Sequence, residues 1–546
     1  MALDVFTGQF TASGSTGNQA VTGVGFQGKA IIFYCTEREA IENANNLHRC
    51  VGFATSSTAR GMMACSIDNG NATGDVDNDN RATRCILIRD HSSGNVRFEA
   101  DFVSFDADGF TVDWIDSGLP VVFFVAIGGA DLTDVDVGQF TKATSTGTDA
   151  ITGVGFEPDL ILLAGELNTT LNSTTLHSSF FLGAAISPTS RWVTHGSSED
   201  GPATSDSGRN QRTDKVIYQT DENGTAIADV DLDSMDSDGF TLDYLTANGD
   251  ANQYMYLALK GGAYNLGSFD GNTSTGDQAV TGVGFTPKME VFTSFSAATS
   301  GSEVADNHFG LGSATSATAR SHLFIADEDG QGTTDAMQDI NDTACLRYLN
   351  ESRALLAEAD FVTQDSDGFT VDWGTVDAIS REILYLAMDS EPVILPPTSF
   401  VSPLVGRDVR YKRIIDFSDG GEARFFEDPA TGESYIAVKA PADPGAIGAV
   451  ILRISIPTIV AVTYIVLDKD RVVLVDDDAA GGAVTVTLPP AVGDLRELVI
   501  KKLGTTGSVT IDGDEAETID GALTKVLSTQ YDVLELASDG ANWWII

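Results

Sequence analysis

One block of sequence occurs three times in this chain, and that recurrence limits the fold more than any other property. Gly8-Gln-Phe10, Ser15-Thr-Gly17 and Val21-Thr-Gly23-Val-Gly25-Phe26 return as Gly138-Gln-Phe140, Ser145-Thr-Gly147 and Ile151-Thr-Gly153-Val-Gly155-Phe156. They return again as Gly267-Ser-Phe269, Ser274-Thr-Gly276 and Val280-Thr-Gly282-Val-Gly284-Phe285. Each copy closes on one signature: Asp108-Gly-Phe110-Thr-Val-Asp-Trp114, Asp238-Gly-Phe240-Thr-Leu-Asp-Tyr244 and Asp367-Gly-Phe369-Thr-Val-Asp-Trp373. Both signatures repeat at offsets of 130 and then 129, and an arginine between them (Arg60, Arg191, Arg320) repeats at 131 and 129. Solenoid units run to roughly 20–50 residues, so this period describes whole domains. We place the repeats at residues 1–133, 134–262 and 263–392.

Within a copy the patterning is that of strands. In Gly-Phe-Thr-Val-Asp-Trp the apolar residues alternate with Thr and Asp, the period of a half-buried strand. The Asp-x-Asp-Gly before it is a turn, in which Gly supplies positive φ and Asp bonds nearby backbone. More continuously apolar strands follow at Val121–Ile127, Tyr254–Leu259 and Ile383–Met388, and others sit early in each copy, at Ala30–Tyr34 and Leu160–Leu163. The fold class expected is all-β, with three tandem β-sandwich-like repeats and a C-terminal β-rich module. The polar middles, residues 68–84, 197–214 and 328–343, read as long surface loops. They differ between copies, which fits different neighbours or different ligands for each.

After the repeats the composition changes. Glu391-Pro-Val-Ile-Leu-Pro-Pro397 reads as a stiff linker. It opens residues 393–461, a stretch whose fold the sequence does not reveal and which carries a basic patch at Arg410-Tyr-Lys-Arg413. Residues 462–546 return to strand patterning. Val484-Thr-Val-Thr-Leu-Pro-Pro490, Ile500-Lys-Lys502, Val509-Thr-Ile-Asp-Gly513, Glu517-Thr-Ile-Asp-Gly521, Leu527-Ser-Thr-Gln-Tyr531 and Ser538-Asp-Gly-Ala-Asn-Trp543 follow in order. That series resembles a β module of bacteriophage tail and head-fibre proteins. The upstream copies, with Val-Thr-Gly-Val-Gly-Phe and Ser-Asp-Gly-Phe-Thr, are similar to domains of phage structural proteins. The resemblance implies a β-rich, assembly-dependent, often trimeric viral protein without catalysis. No fibre-anchoring segment is recognisable before the first repeat.

Several motifs suggest chemistry, and the repeat weighs against each. Gly23-Val-Gly25-Phe-Gln-Gly28 has the spacing of a dinucleotide fingerprint, which needs a helix after it and a third glycine. The other copies have Pro158 and Pro287 at that third position, and a strand follows. The Asp108, Asp238 and Asp367 turns suit either side-chain-to-backbone bonding or calcium. Arg60, Arg191 and Arg320 suit either an ion pair or an anionic glycan. Trp114, Tyr244 and Trp373 share a strand face with Phe110, Phe240 and Phe369, so we place them in cores rather than on sugar-stacking surfaces. Trp192 and Trp543-Trp544 break the repeat and are the better surface candidates. The six histidines do not recur at the repeat offsets, and no His-Glu-x-x-His or Gly-x-Ser-x-Gly is present.

Composition bounds the partners. With 79 acidic and 32 basic residues the formal net charge is −47, which repels nucleic acid phosphates and anionic membranes. No apolar run reaches the roughly 18 residues of a membrane span, and the first residues lack the basic and apolar regions of a secretory signal. The five cysteines, Cys35, Cys50, Cys65, Cys85 and Cys345, lack zinc spacing and read as free thiols. The expectation is a non-enzymatic virion protein, a tail or fibre component with a building or host-surface-binding role. It is expected to need no cofactor and to form a homotrimer. Its expected partners are its own copies, other virion proteins and a host surface glycan. Capsid decoration or head-fibre protein is the alternative reading, and glycan depolymerase a further one.

Overall fold

In the computed structural model the described residues are 3–90, 94–221, 223–294, 301, 303–350 and 352–389. Beyond these come the strands between 400 and 459, and 461–545 apart from 467–471, 492–496 and 515. The proline-bearing stretch 391–397 lies outside them. Every regular element among the described residues is a strand: the chain is all-β. Contacts divide it into two units, Met1–Val393 and Ile394–Ile546.

In the first repeat six strands form one antiparallel sheet, ordered Leu3–Thr11, Val121–Gly129, Gly28–Cys35, Leu47–Ala54, Arg60–Ile67 and Val76–Arg81. A second sheet of four, Gly17–Thr22, Gly109–Asp116, Val96–Asp106 and Ile86–Arg89, covers one face of it. The second and third repeats use the same order.

The large sheet of each repeat takes its seventh strand from the next repeat. Ser173–Leu176 of the second repeat pairs with Val76–Arg81 of the first, and Val304–Ala305 of the third pairs with Ser207–Arg212 of the second. Asn43–Asn45 of the first repeat then pairs with Ala336–Asn341 of the third. The exchange runs in a cycle, so the three repeats close a pseudo-threefold ring within one chain.

This corrects the reading of residues 68–84, 197–214 and 328–343 as surface loops. Each holds a buried strand, Val76–Arg81, Ser207–Arg212 or Ala336–Asn341. Their polar composition misleads because the neighbouring repeat satisfies it. Asn78 Nδ2 donates to Thr175 Oγ1 at 3.0 Å, and Asn80 Nδ2 donates to the Gln253 carbonyl at 2.8 Å.

The ring also explains the continuous apolar strands. Alternate residues of Val121–Gly129 face opposite ways. Val122, Phe124 and Ala126 pack in the sandwich core of their own repeat. Val121, Phe123, Val125 and Ile127 pack in a central core shared by all three repeats, with Leu257, Leu259, Leu384 and Leu386. A strand buried on both faces loses its polar alternation.

The second unit begins with a five-stranded antiparallel sheet over Phe400–Ser402, Arg407–Asp416, Glu422–Glu427, Ser434–Lys439 and Val450–Leu452. After it the chain coils. Thr458–Ile459, Val472–Val475 and Glu497–Lys502 stack in parallel in one sheet. Thr463–Ile465, Val484–Thr487 and Val509–Asp512 alternate with them and stack in parallel in another. The C-terminal module is thus a short two-sheet solenoid. Its stacked rungs place Val484 beside Val509 and Val486 beside Ile511, all buried. Antiparallel strands Thr524–Leu527, Val533–Ser538 and Trp543–Ile545 close its last coil.

Candidate functional site

The repeated signature residues hold each sandwich together. Asp108 accepts hydrogen bonds from the backbone N–H groups of Gly23 and Gly25 at 3.1 and 2.7 Å. Asp238 does the same for Gly153 and Gly155, and Asp367 for Gly282 and Gly284. The preceding Asp106 accepts from Ser104 and Thr111, with matching bonds to Asp236 and Asp365. Both carboxylates of each turn therefore accept hydrogen bonds within the protein, the first from side-chain hydroxyls and the second from backbone N–H groups.

Arg60 Nε donates to the Thr83 carbonyl at 3.1 Å and pairs with Asp101. Arg191 reaches the Asp214 carbonyl and Asp231, and Arg320 reaches the Thr343 carbonyl and Asp360. Phe26, Phe156 and Phe285 pack against the sandwich core of their own copy. Trp114, Tyr244 and Trp373 are buried in those cores. Trp114 Nε1 donates to Gln19 and Trp373 Nε1 to Gln278, both at 2.7 Å. Trp192 is not at the surface: it is buried in the central core and donates to the Tyr385 carbonyl of the third repeat at 3.0 Å. Trp543 is buried beneath the solenoid, donating to the Pro489 carbonyl, whereas Trp544 is 47% exposed.

The chemistry-bearing side chains that depart from the repeat gather around the pseudo-threefold axis. Arg49 occupies the position that Phe180 and Phe309 hold in the other copies, at the same 131 and 129 offsets as the arginines. All three are fully buried and meet one another. The guanidinium of Arg49 lies 3.8 Å from the Phe180 ring centroid and 5.9 Å from that of Phe309, whose two rings are 5.4 Å apart. Arg49 also pairs with Glu166 of the second repeat, both residues being fully buried. Glu166 accepts from Ser178 Oγ and from the Ser179 N–H at 2.9 Å. Burial pushes the Glu166 carboxyl up to about 7 against the pull of Arg49.

A neighbouring position holds Ile67, Ser198 and Asp327, each paired with the strand residue Leu47, Ser178 or Asn307 of its own copy. Burial and the carboxylates Asp306, Asp329 and Asp335 push Asp327 up to about 7, countered by a hydrogen bond to Ser198. Asn307 Nδ2 donates to Ser198 Oγ at 3.1 Å.

Beyond this position the three loops lock by reciprocal backbone bonds. Gly70 N–H donates to the Thr334 carbonyl and Thr334 N–H to that of Asn71. Gly201 and Gly74, with Pro202, repeat the pattern, as do Gly330 and Ser205, with Gln331. Each junction thus pairs two repeats in one orientation.

The other departures are burial sites and not acid–base pairs. Burial lowers His195 and His322 to about 3, so both imidazoles are neutral near pH 7. Glu290 stands where the other copies have Ile31 and Ile161, and burial raises its carboxyl well above the ordinary range. All five cysteines are buried and free. Among the described residues no group of three His, Cys, Asp or Glu side chains is placed to hold a metal ion, and no helix is long and apolar enough to cross a membrane. What the axis does chemically is bind one repeat to another. Compared with protein-family models, curated proteins and solved structures, the chain matches none.

Aligning the copies shows Arg49 as a charge where two copies have phenylalanine. That signal is present in the sequence, but not its partner Glu166, which lies 117 residues away.

Proposed function

We propose that this protein is a non-catalytic structural component of a bacteriophage virion, a tail or fibre protein with a building or host-surface-binding role. The supporting observation is the construction of the ring. Three sandwiches interlock by strand exchange, share one core, and employ their repeated Asp, Arg and aromatic residues in holding the framework. Such a scaffold resists being pulled apart and leaves its outer loops free to vary. The resemblance of Val462 to Ile546 to tail and head-fibre modules supplies the class.

Assembly between chains falls to the second unit. The ring covers one edge of each large sheet with its own donated strand. The solenoid region exposes Val462, Ile465, Leu523, Val526, Tyr531 and Trp544, with Ile465 and Val526 on edge strands of its sheets; the ring too has exposed apolar side chains, Leu176, Leu245 and Ile379 among them. Apolar side chains on short edge strands call for cover, and three copies packed through them form the homotrimer. Other virion proteins and a host surface glycan are the remaining partners; nucleic acid and membrane insertion are disfavoured by charge and composition. A second reading, capsid decoration or head fibre, is favoured by the pseudo-threefold ring, whose symmetry suits a threefold position on a shell.

Mass spectrometry of purified particles tests the proposal. The protein should be present at stoichiometric level, and incubation with host capsule or lipopolysaccharide should release no oligosaccharide. Absence from particles overturns the structural role, and release of sugar fragments replaces it with depolymerisation.

A further inference from the structure

The three repeats are similar enough to compete for one another's places. Every junction in the ring uses the same strand exchange and the same backbone clamp. Chains synthesised side by side therefore face a choice between three repeats of one chain and like repeats from three chains. We propose that the charged residues at the axis form an identity key, which admits one first, one second and one third repeat and rejects rings of like repeats. This inference stands independently of the virion role.

Three first repeats would bring three Arg49 guanidinium groups together where Arg49, Phe180 and Phe309 now meet. They would also supply no Glu166, because the first repeat has Thr36 at that position. Like charges in a dry site repel strongly, and an unpaired buried charge is far costlier than a paired one. Three second repeats would bury three Glu166 carboxyls with Phe180, and no arginine, at the position of Arg49. Three third repeats would gather three buried Asp327 side chains where the native ring holds one, with Ile67 and Ser198 at the equivalent positions. Each homotypic ring thus carries its own penalty, whereas the native ring gives Arg49 its carboxylate and two aromatic faces. One buried polar pair in an apolar seam is a known means of fixing which partners associate.

The test removes the key and keeps the framework. The double variant Arg49→Phe with Glu166→Thr gives both positions the residues other copies use. Arg49→Met with Glu166→Gln removes the charges at similar volume. Each full-length variant is mixed, as heavy and light isotopic forms, with itself in denaturant and refolded at rising concentration. Chemical cross-linking then reads contacts between the inner sheets of different chains. The wild type should give such contacts at a low level at every concentration. A variant that folds should give them about tenfold more often, rising with concentration. Variants that fold and remain at the wild-type level overturn the key. Failure of both variants to fold at low concentration overturns it too, by showing that the pair is needed for stability itself.

Discussion

At the scale of single residues, one exacting position in each sandwich is a glycine that approaches a carbonyl. A Cβ built on Gly52 would lie 2.0 Å from the Cys85 carbonyl oxygen; on Gly183 it would lie 1.9 Å from that of Val216, and on Gly312, 2.0 Å from that of Cys345. Backbone, not a movable side chain, is what the new methyl meets. Gly52→Ala should therefore destabilise the ring by roughly 3 kcal/mol or more, read as a fall in denaturant midpoint at unchanged slope. Asp327 carries a pH dependence. Its carboxyl is raised from 3.8 to about 7, so the folded state holds its proton more tightly than the unfolded chain does. The stability it contributes is complete below about pH 4 and is lost as pH rises through about 7. Glu166 acts in the same direction. Between pH 5 and pH 8 the Tm of the wild type should fall, and Asp327→Asn should flatten that slope by on the order of 2 kcal/mol.

At the scale of elements, the exchanged strands are the feature that local patterning hides. The signature strand at Gly109–Asp116 was readable because its alternation reports one buried face. Val76–Arg81 reads Val-Asp-Asn-Asp-Asn-Arg, a sequence that looks solvated, yet it is a buried strand held between Arg60–Ile67 of its own repeat and Ser173–Leu176 of the next. Ser173–Leu176 itself is Ser-Thr-Thr-Leu, too short and polar to be recognised alone. The role of Arg49 is hidden for a related reason: alignment of the copies shows the charge, but its carboxylate and two rings come from other repeats. The strand exchange predicts a local effect. Thr175 pairs with Asn78, and Thr175→Pro removes a donor and fixes φ. Amide exchange over Val76–Arg81 should quicken by on the order of tenfold, the loss of one or two ladder bonds at roughly 1 kcal/mol each. Ser207–Arg212, paired with another strand, should keep its protection.

At the scale of the molecule, three domains in a row have become one object with one axis. The offsets disclosed three copies, but copies in tandem are equally compatible with separate beads. What joins them is the second face of each large sheet, apolar along Val121–Ile127 and its counterparts and covered only when all three repeats are present. The C-terminal module shows the same limit. Its rungs were legible as short strands, while their parallel stacking rests on register between segments far apart in the chain. Closure of the ring by the first and third repeats is the central claim, and a cross-link at that junction tests it most directly. Asn45 of the first repeat pairs with Met337 of the third, so Asn45→Cys with Met337→Cys sets two thiols opposite each other on strands 292 residues apart in sequence. Heavy and light chains of this double variant, expressed separately, mixed and oxidised, should yield in high amount a disulfide-linked peptide pair that joins the two substituted positions. The pairs should join heavy to heavy and light to light only. Little or no such pair, or heavy peptides joined to light ones in quantity, would contradict a ring closed within one chain.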